Sequence, residues 1–195
     1  MGDTLDYYNE HARAFSESTV CVDFSAVQDK FLMLLPVGAC ILDFGCGSGR
    51  DAKCFLERGF KVEATDGSAE LCEIASAYAG IPVRHELFQE IDRVECYDAI
   101  WACSSILHVS KAELPEVLGR MARALKPNGI VYTSFKYGDF EGERNGRYFS
   151  DFTEKSFAML LETVPAFVLE ELWTTGDVRP GRGEEKWLNL ILRKK

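Results

Sequence analysis

At 195 residues and 47% hydrophobic content, the chain suits a single domain spanning 1–195 with a sizeable core, and leaves little room for a separate substrate domain. A formal net charge of −9 disfavours a phosphate backbone as partner, the only basic block being Arg193-Lys194-Lys195. The N-terminus lacks the basic segment and apolar core of a signal peptide and no apolar run approaches membrane-spanning length, so a cytoplasmic protein is expected, acting on a small molecule as a monomer or weak homodimer, with neither nucleic acid nor membrane as partner.

Residues 3–19 carry Tyr7, Tyr8, Ala12 and Phe15 at helical spacing, and a second such pattern follows at Phe24, Val27, Phe31, Leu32 and Leu35. Two helices therefore form an N-terminal cap over 1–37, ended by Pro36 and Gly38. Next comes the stretch around which the chain is organised, Cys40 to Asp51. An apolar run meets Gly45, Gly47 and Gly49 at alternate positions and a helical pattern begins, which predicts a buried parallel strand turning into a helix around a nucleotide cofactor. Glycine there accepts positive φ and lets ligand atoms approach the backbone. The first crossover helix, Ala52 to Arg58, stops at Gly59. Asp66 then ends the second strand, Lys61–Thr65, about twenty residues beyond the loop, where an acid meets ribose hydroxyls. A nicotinamide or flavin fingerprint needs G-x-G-x-x-G/A, and Arg50 stands at its third position, which disfavours a dinucleotide.

The segment Ile41-Leu42-Asp43-Phe44-Gly45-Cys46-Gly47-Ser48-Gly49 resembles motif I of the class I S-adenosylmethionine-dependent methyltransferases. That resemblance implies an α/β, doubly wound, Rossmann-like sheet of seven strands in the order 3-2-1-4-5-7-6, with helices on both faces and a C-terminal antiparallel hairpin. It also implies S-adenosylmethionine as cofactor. Asp43, Gly45, Cys46, Gly47, Ser48 and Gly49 would cradle it, with Asp66, Gly67 and Ser68 at the ribose. Tyr8 and Arg13 are candidates to fold over it from the first helix, as in similar methyltransferases, and a flap of this kind would exclude water.

Ser68 also suits the N-cap of a helix bearing Leu71, Cys72, Ala75 and Tyr78 and ending at Gly80. Val83 to Phe88 reads as the third strand. By the same resemblance Phe88 covers the adenine ring and Gln89 accepts from its amino group, where an acid is commoner. Tyr97 to Ser105 is the fourth strand, and the rule that ligands sit beyond strand carboxyl ends puts Ala102, Cys103 and Ser104 through His108 on the pocket wall. The segment lacks the Asn/Asp-Pro-Pro-aromatic and Pro-Cys signatures of the DNA-modifying members, so Cys103 reads as a wall residue. His108 is the histidine of the predicted cleft, suited to accepting a substrate proton or orienting the acceptor by a hydrogen bond.

Ser110 to Glu113 matches a capping box before an apolar helix bearing Leu114, Val117, Leu118, Met121 and Leu125, and Lys126-Pro127-Asn128-Gly129 breaks the chain before a fifth strand, Ile130–Phe135. The polar, glycine-rich segment 136–150 reads as a substrate-roof loop; Tyr137, Arg144 and Arg147 are its substrate candidates, the two arginines suited to gripping an anionic acceptor. A helix capped by Thr153 and two β-rich runs, Ala166–Thr174 and Trp187–Leu192, complete the chain, with Arg179 and Arg182 at the hairpin tip expected to meet solvent. Seven cysteines without a C-x-x-C pair read as small buried hydrophobes, and no metal is expected.

Methyl transfer from this cofactor to a small-molecule acceptor is an in-line displacement, so alignment and water exclusion suffice and no catalytic pair need appear. The compact layout looks like the small-metabolite subgroup that includes the tellurite-resistance methyltransferases. The alternatives are a module that binds S-adenosylmethionine without turnover and, further off, a nicotinamide-dependent oxidoreductase.

Overall fold

The computed structural model describes residues 2–179 and 181–195. Its centre is a seven-stranded sheet. In chain order the strands are β1 (Cys40–Phe44), β2 (Lys61–Asp66), β3 (Val83–His85), β4 (Tyr97–Ala102), β5 (Leu125–Lys136), a separate pair β6 (Glu141–Arg144) and β7 (Arg147–Ser150), then β8 (Phe167–Gly176) and β9 (Lys186–Lys194). The large sheet runs β3-β2-β1-β4-β5-β9-β8. The first five of these strands pair in parallel, and β9 runs antiparallel to both β5 and β8. With β8 and β9 as the sixth and seventh strands, this is the order the motif resemblance implied.

Strands β1 and β4 are buried on both faces, as a central parallel strand must be, so apolarity is nearly continuous along them. Successive residues feed opposite layers. Leu42, Phe44, Ile100 and Val131 pack on one side with α5 (Leu114–Ala124) and Phe157 of α6 (Glu154–Glu162). Ile41, Trp101, Tyr132 and Ile191 pack on the other with Phe31 of α2 (Ser25–Leu32) and Phe55 of α3 (Arg50–Glu57). There the Trp101 and Tyr132 rings stack at 4.1 Å between centroids. Each such side chain contributes about 1.5–3 kcal/mol on burial, so the sheet is a rigid platform for whatever lies at its edge.

Two connections differ from the sequence expectation. Strand β3 stops at His85, and the Phe88–Glu90 segment is a turn of 3₁₀ helix closed by the Leu87 amide donating to Glu90 Oε2 at 2.8 Å. Strand β5 begins at Leu125 rather than Ile130: Lys126-Pro127-Asn128-Gly129 is looped out as a bulge, since β4 advances from Tyr97 to Ala99 while β5 advances from Leu125 to Ile130. Asn128 accepts the positive φ of 61° that this requires.

The expected roof loop is itself a β-hairpin. Asn145 and Gly146 form its two-residue turn, both left-handed at φ 51° and 73°, and Arg144 pairs with Arg147 across it. An Asn-Gly dipeptide is a strong short-range signal for this turn, and it was present in the sequence. The hairpin is fastened on two sides. Its Tyr148 amide donates to Thr4 Oγ1 of α1 (Gly2–Thr19) at 2.9 Å, and Ser150 Oγ donates to the Val109 carbonyl at 2.8 Å. Helix α1 also packs on α4 (Ala69–Ala79), which Ser68 caps through its Oγ and the Leu71 amide. No helix among the described residues is long and apolar enough to cross a membrane.

Candidate functional site

A cleft of about 640 Å³ opens beyond the carboxyl ends of β1, β2, β4 and β5. Helix α1 closes one side of it through Thr4, Leu5, Tyr8 and Phe15, and the β6–β7 hairpin closes another through Arg144, Asn145, Arg147 and Phe149.

The glycine loop forms one end. The Gly45 and Cys46 amides both donate to the Thr65 carbonyl, at 2.9 and 3.0 Å, which ties the loop to the tip of β2. Asp66 completes the tie: one carboxylate oxygen accepts from the Gly47 amide at 2.8 Å and the other from the Ser68 amide at 2.9 Å. Burial pushes the Asp66 carboxyl above its ordinary pKa, against these stabilising amides. At Gly45, φ is 80° and a Cβ would lie 2.5 Å from Ser105 Cβ, so only glycine fits.

Asp43 and Asp51 lie beneath the loop. Asp51 is fully engaged: it accepts from Gln28 Nε2 at 2.7 Å, from Trp101 Nε1 at 2.8 Å and from Arg50 through both oxygens. Asp43 is buried, its Oδ2 has no hydrogen-bond partner among the described residues, and burial together with the nearby Asp51 charge pushes its carboxyl well above the usual range. Both acids face the cleft.

The other end is built around His108, on the short turn that follows β4. Its Nδ1 is 2.6 Å from the Tyr148 carbonyl and its Nε2 is 2.9 Å from the Tyr8 hydroxyl. A carbonyl only accepts, so the ring proton sits on Nδ1; Nε2 carries the lone pair and the Tyr8 O–H donates to it. Burial drives the imidazole pKa down to about 4, so it is neutral at physiological pH. Burial likewise pushes the Tyr8 phenol up.

Around this pair stand Lys136, Arg144, Arg147, Arg179 and Arg182 with Asp151, Asp177, Glu184 and Glu185. Arg144 donates to Asp151 at 2.6 Å. Lys136 contacts Glu185 and Asp177, Arg179 Nε donates to Asp177 at 2.9 Å, and Arg182 Nε lies 2.9 Å from Glu185. Against the effect of burial, the Arg179 guanidinium and amide and the Trp187 indole hold the Asp177 carboxyl far below its ordinary pKa.

Of the candidates named from sequence, Tyr8, Asp43, Gly45, Cys46, Gly47, Ser48, Asp66, Gly67, Phe88, Cys103, Ser104, His108, Tyr137, Arg144 and Arg147 line this cleft. Five others lie off its wall. Arg13 is exposed on α1, one helical turn beyond Asn9, which meets Ser68 Oγ at 2.7 Å. Gly49 packs under α4, where a Cβ would come within 3.1 Å of Ala75. Ser68 is consumed in capping that helix, Ala102 is fully buried in the sheet, and Gln89 lies in the 3₁₀ segment without lining the cleft. Arg179 and Arg182, expected to meet solvent, line the cleft instead, held there by Asp177 and Glu185, which both meet Lys136 at the end of β5. Sequence reading also missed Lys136, Asp151 and Asp177. The dense charge of 176–185 was the available signal, but its pairing is set by sheet order and not by local spacing.

The Cys103 thiol is pushed up to about 12 by burial, which suits a wall residue and not a nucleophile. None of the seven cysteines is in a disulfide, and Cys21 and Cys96 are exposed where buried positions were expected. No cluster of metal-ligating side chains occurs among the described residues.

Residues 41–129 match the methyltransferase domain family. Among curated proteins, the ubiquinone biosynthesis O-methyltransferase of Rhodopseudomonas palustris (strain BisB5) is 35% identical over 99 residues, covering 48% of this chain and 38% of that protein. The malonyl-[acyl-carrier protein] O-methyltransferase of Pectobacterium atrosepticum is 31% identical over 135 residues, covering 64% and 53%. The chain thus spans about half the length, or less, of these relatives. In fold it is similar to the 1,6-didemethyltoxoflavin-N1-methyltransferase of Burkholderia thailandensis, solved with its substrate and S-adenosylhomocysteine bound: TM-score 0.76, 24% identity, 98% of this chain and 85% of that one. A TehB-like S-adenosylmethionine-dependent methyltransferase from Corynebacterium glutamicum aligns over 98% of both chains with TM-score 0.71 and 20% identity. Residues 41–129 thus match the methyltransferase domain family, and in strand order the whole chain has the fold of solved S-adenosylmethionine-dependent methyltransferases.

Proposed function

We propose that this chain is a cytoplasmic, single-domain enzyme that transfers a methyl group from S-adenosylmethionine to a small-molecule acceptor. The observation that carries the reading is the glycine loop tied to Asp66 at the mouth of a 640 Å³ cleft, with the free oxygen of Asp43 beneath it. The residues suit the cofactor. Gly45 and Gly47 bring bare backbone to the cleft, Asp66 and Gly67 stand at the ribose position, and Leu71, Leu87 and Phe88 offer an apolar slot for adenine. Asp43 is the natural partner for the ammonium of an amino-acid tail. When bound, the cofactor supplies an activated methyl on a sulfonium with a neutral leaving group.

What remains for the protein is alignment and exclusion of water. Helix α1 supplies the cover through Leu5, Tyr8 and Phe15. The Ser104 hydroxyl and the Tyr8 oxygen stand on the cleft wall, the Tyr137 hydroxyl being engaged with Glu154, and the basic Nε2 of neutral His108 holds the Tyr8 proton. An acceptor that must shed a proton would pass it to the Tyr8 oxygen as the Tyr8 proton moves to His108.

Calorimetric titration with S-adenosylhomocysteine tests the cofactor assignment, and formation of that product from S-adenosylmethionine across a metabolite panel tests turnover. Binding of the nucleoside with thermal stabilisation, and none by NADH, is expected. No association at millimolar concentration overturns the reading.

A further inference from the structure

The acceptor end of the cleft holds six cations, the exposed Lys186 among them, and four carboxylates, a local excess of positive charge in a chain of net charge −9. Four of those cations are already matched: Arg144 by Asp151, Lys136 and Arg179 by Asp177, and Arg182 by Glu185. Arg147 is different. No carboxylate pairs with it among the described residues, and its buried Nε has no hydrogen-bond acceptor. Its polar contact is Nη1 to the Tyr8 hydroxyl, at a long 3.5 Å.

Three aromatic rings hold it instead, with the guanidinium carbon 4.6 Å from the Tyr7 ring, 5.8 Å from Tyr8 and 5.3 Å from Phe149. These faces position the charge and offset part of its desolvation. They leave the Nε–H of the guanidinium without an acceptor. The setting is built rather than incidental. Arg147 follows the Asn145-Gly146 turn, Gly146 is pressed so closely on Tyr7 that a Cβ would lie 3.2 Å from the ring, and the next amide is bonded to Thr4 on α1.

We infer that Arg147 is the anchor for a carboxylate carried by the methyl acceptor, which places the acceptor among small carboxylic acids; this rests on the methyltransferase reading above. The class follows from the charge count and the shape. Lys186 is exposed to solvent, so the one half-buried, unmatched cation beside the Tyr8 hydroxyl is Arg147; it fits one negative charge, and a phosphate dianion would be left half-neutralised there. A planar carboxylate presents two oxygens to the guanidinium edge while the rings of Tyr8 and Phe149 flank it. Anchored there, the acid lies beside the Tyr8 hydroxyl and His108. Its charge would also relieve the repulsion by which Arg147 helps to keep His108 deprotonated.

The test uses the whole chain saturated with S-adenosylhomocysteine and titrated with benzoate, acetate, benzamide and phenyl phosphate. Binding is read by calorimetry and by the arginine Nε–H resonances, with that of Arg147 identified by its loss in Arg147→Gln. Benzoate is expected to bind about tenfold or more tighter than the neutral benzamide and tighter than phenyl phosphate, and to shift the Arg147 resonance. Arg147→Gln is expected to lose about tenfold in benzoate affinity, Arg147→Lys to recover part of it, and Arg144→Gln to retain it, with melting curves establishing that each variant is folded. Equal binding of benzoate and benzamide, undiminished benzoate binding by Arg147→Gln, tighter binding of phenyl phosphate, or no binding of either carboxylate at millimolar concentration overturns the inference. Those results leave the cofactor assignment standing, whereas failure of S-adenosylhomocysteine to bind removes the reading beneath it.

Discussion

The hydroxyl of Tyr8 and the lone pair of His108 Nε2 meet at 2.9 Å, joining the first helix to the turn after β4 at one end of the cleft. Because both groups are buried, the bond is also a latch: without its donor, Nε2 is left unsatisfied, at a cost of about 1–3 kcal/mol. Tyr8→Phe is therefore expected to lower stability by that order and to quicken amide hydrogen exchange in residues 2–19 more than in the sheet. Methyl transfer should fall through kcat as well as through acceptor KM. Unchanged exchange in α1 would mean that the hydroxyl does not hold the helix down.

His108 also predicts a pH dependence of stability. Its folded pKa of about 4 lies below the ordinary 6.5, so between those values the unfolded chain binds more protons than the folded one. Stability from this group is fully present above pH 6.5 and is lost as pH falls toward 4, on the order of 3 kcal/mol across the window. Asp43 and Asp66, whose folded pKa values are raised, act in the opposite direction, so the comparison must be with a variant. Urea denaturation of His108→Gln at several pH values should give a flatter acid limb than the wild type. Parallel limbs would contradict a buried neutral imidazole.

Much of the fold could be read from local pattern because its central parallel strands are apolar throughout and each helix begins or ends on a recognisable residue, such as Ser68, Gly80 or Thr153. The glycine-loop end of the cleft is legible for a related reason: a glycine loop and an acid on the adjacent strand are encoded by short spacings, as with Gly47 and Asp66, which the structure joins. The acceptor end is not. Asp177 meets Lys136 only because β9 inserts between β5 and β8, and Arg147 meets Tyr8 only because the hairpin folds against α1, so neither contact has a sequence period. The β6–β7 hairpin was missed although Asn145-Gly146 announced it, because the surrounding residues are polar and lack the alternation of a half-buried strand.

Asp66 accepts from two backbone amides, those of Gly47 and Ser68. Asp66→Asn would turn a donor toward one of them and remove the charge. Losing charge-assisted bonds of this kind costs about 1.5–3 kcal/mol, so affinity for S-adenosylhomocysteine is expected to fall by about ten- to a hundredfold. Calorimetry that finds wild-type affinity would remove Asp66 from the binding site.

Asp51 is the acid on which the floor of the cleft depends, since it gathers Gln28, Arg50 and Trp101 from three elements. Truncating one partner of a buried ion pair costs about 3–5 kcal/mol, because the other charge stays desolvated. Asp51→Ala is expected to lose stability of that order in denaturant titration, with a changed environment for the Trp101 indole in its fluorescence. A loss under about 1 kcal/mol would show that water replaces the carboxylate freely.

Gly45 and Gly59 separate backbone strain from crowding. Both have positive φ, 80° and 86°, so an alanine at either site bears the left-handed penalty of about 1–2 kcal/mol. At Gly59 nothing lies within 4 Å of the added Cβ, whereas at Gly45 it would stand 2.5 Å from Ser105 Cβ. Ser105 cannot retreat cheaply, because it is buried and its hydroxyl donates to the Phe44 carbonyl at 2.7 Å. Gly59→Ala should therefore lose only the backbone term and keep its affinity for S-adenosylhomocysteine. Gly45→Ala should lose more stability and at least tenfold in affinity, as the loop shifts away from Asp66. Equal losses in the two variants, measured by urea denaturation and calorimetry side by side, would mean that the loop has room to move and that the close contact with Ser105 does not set its shape.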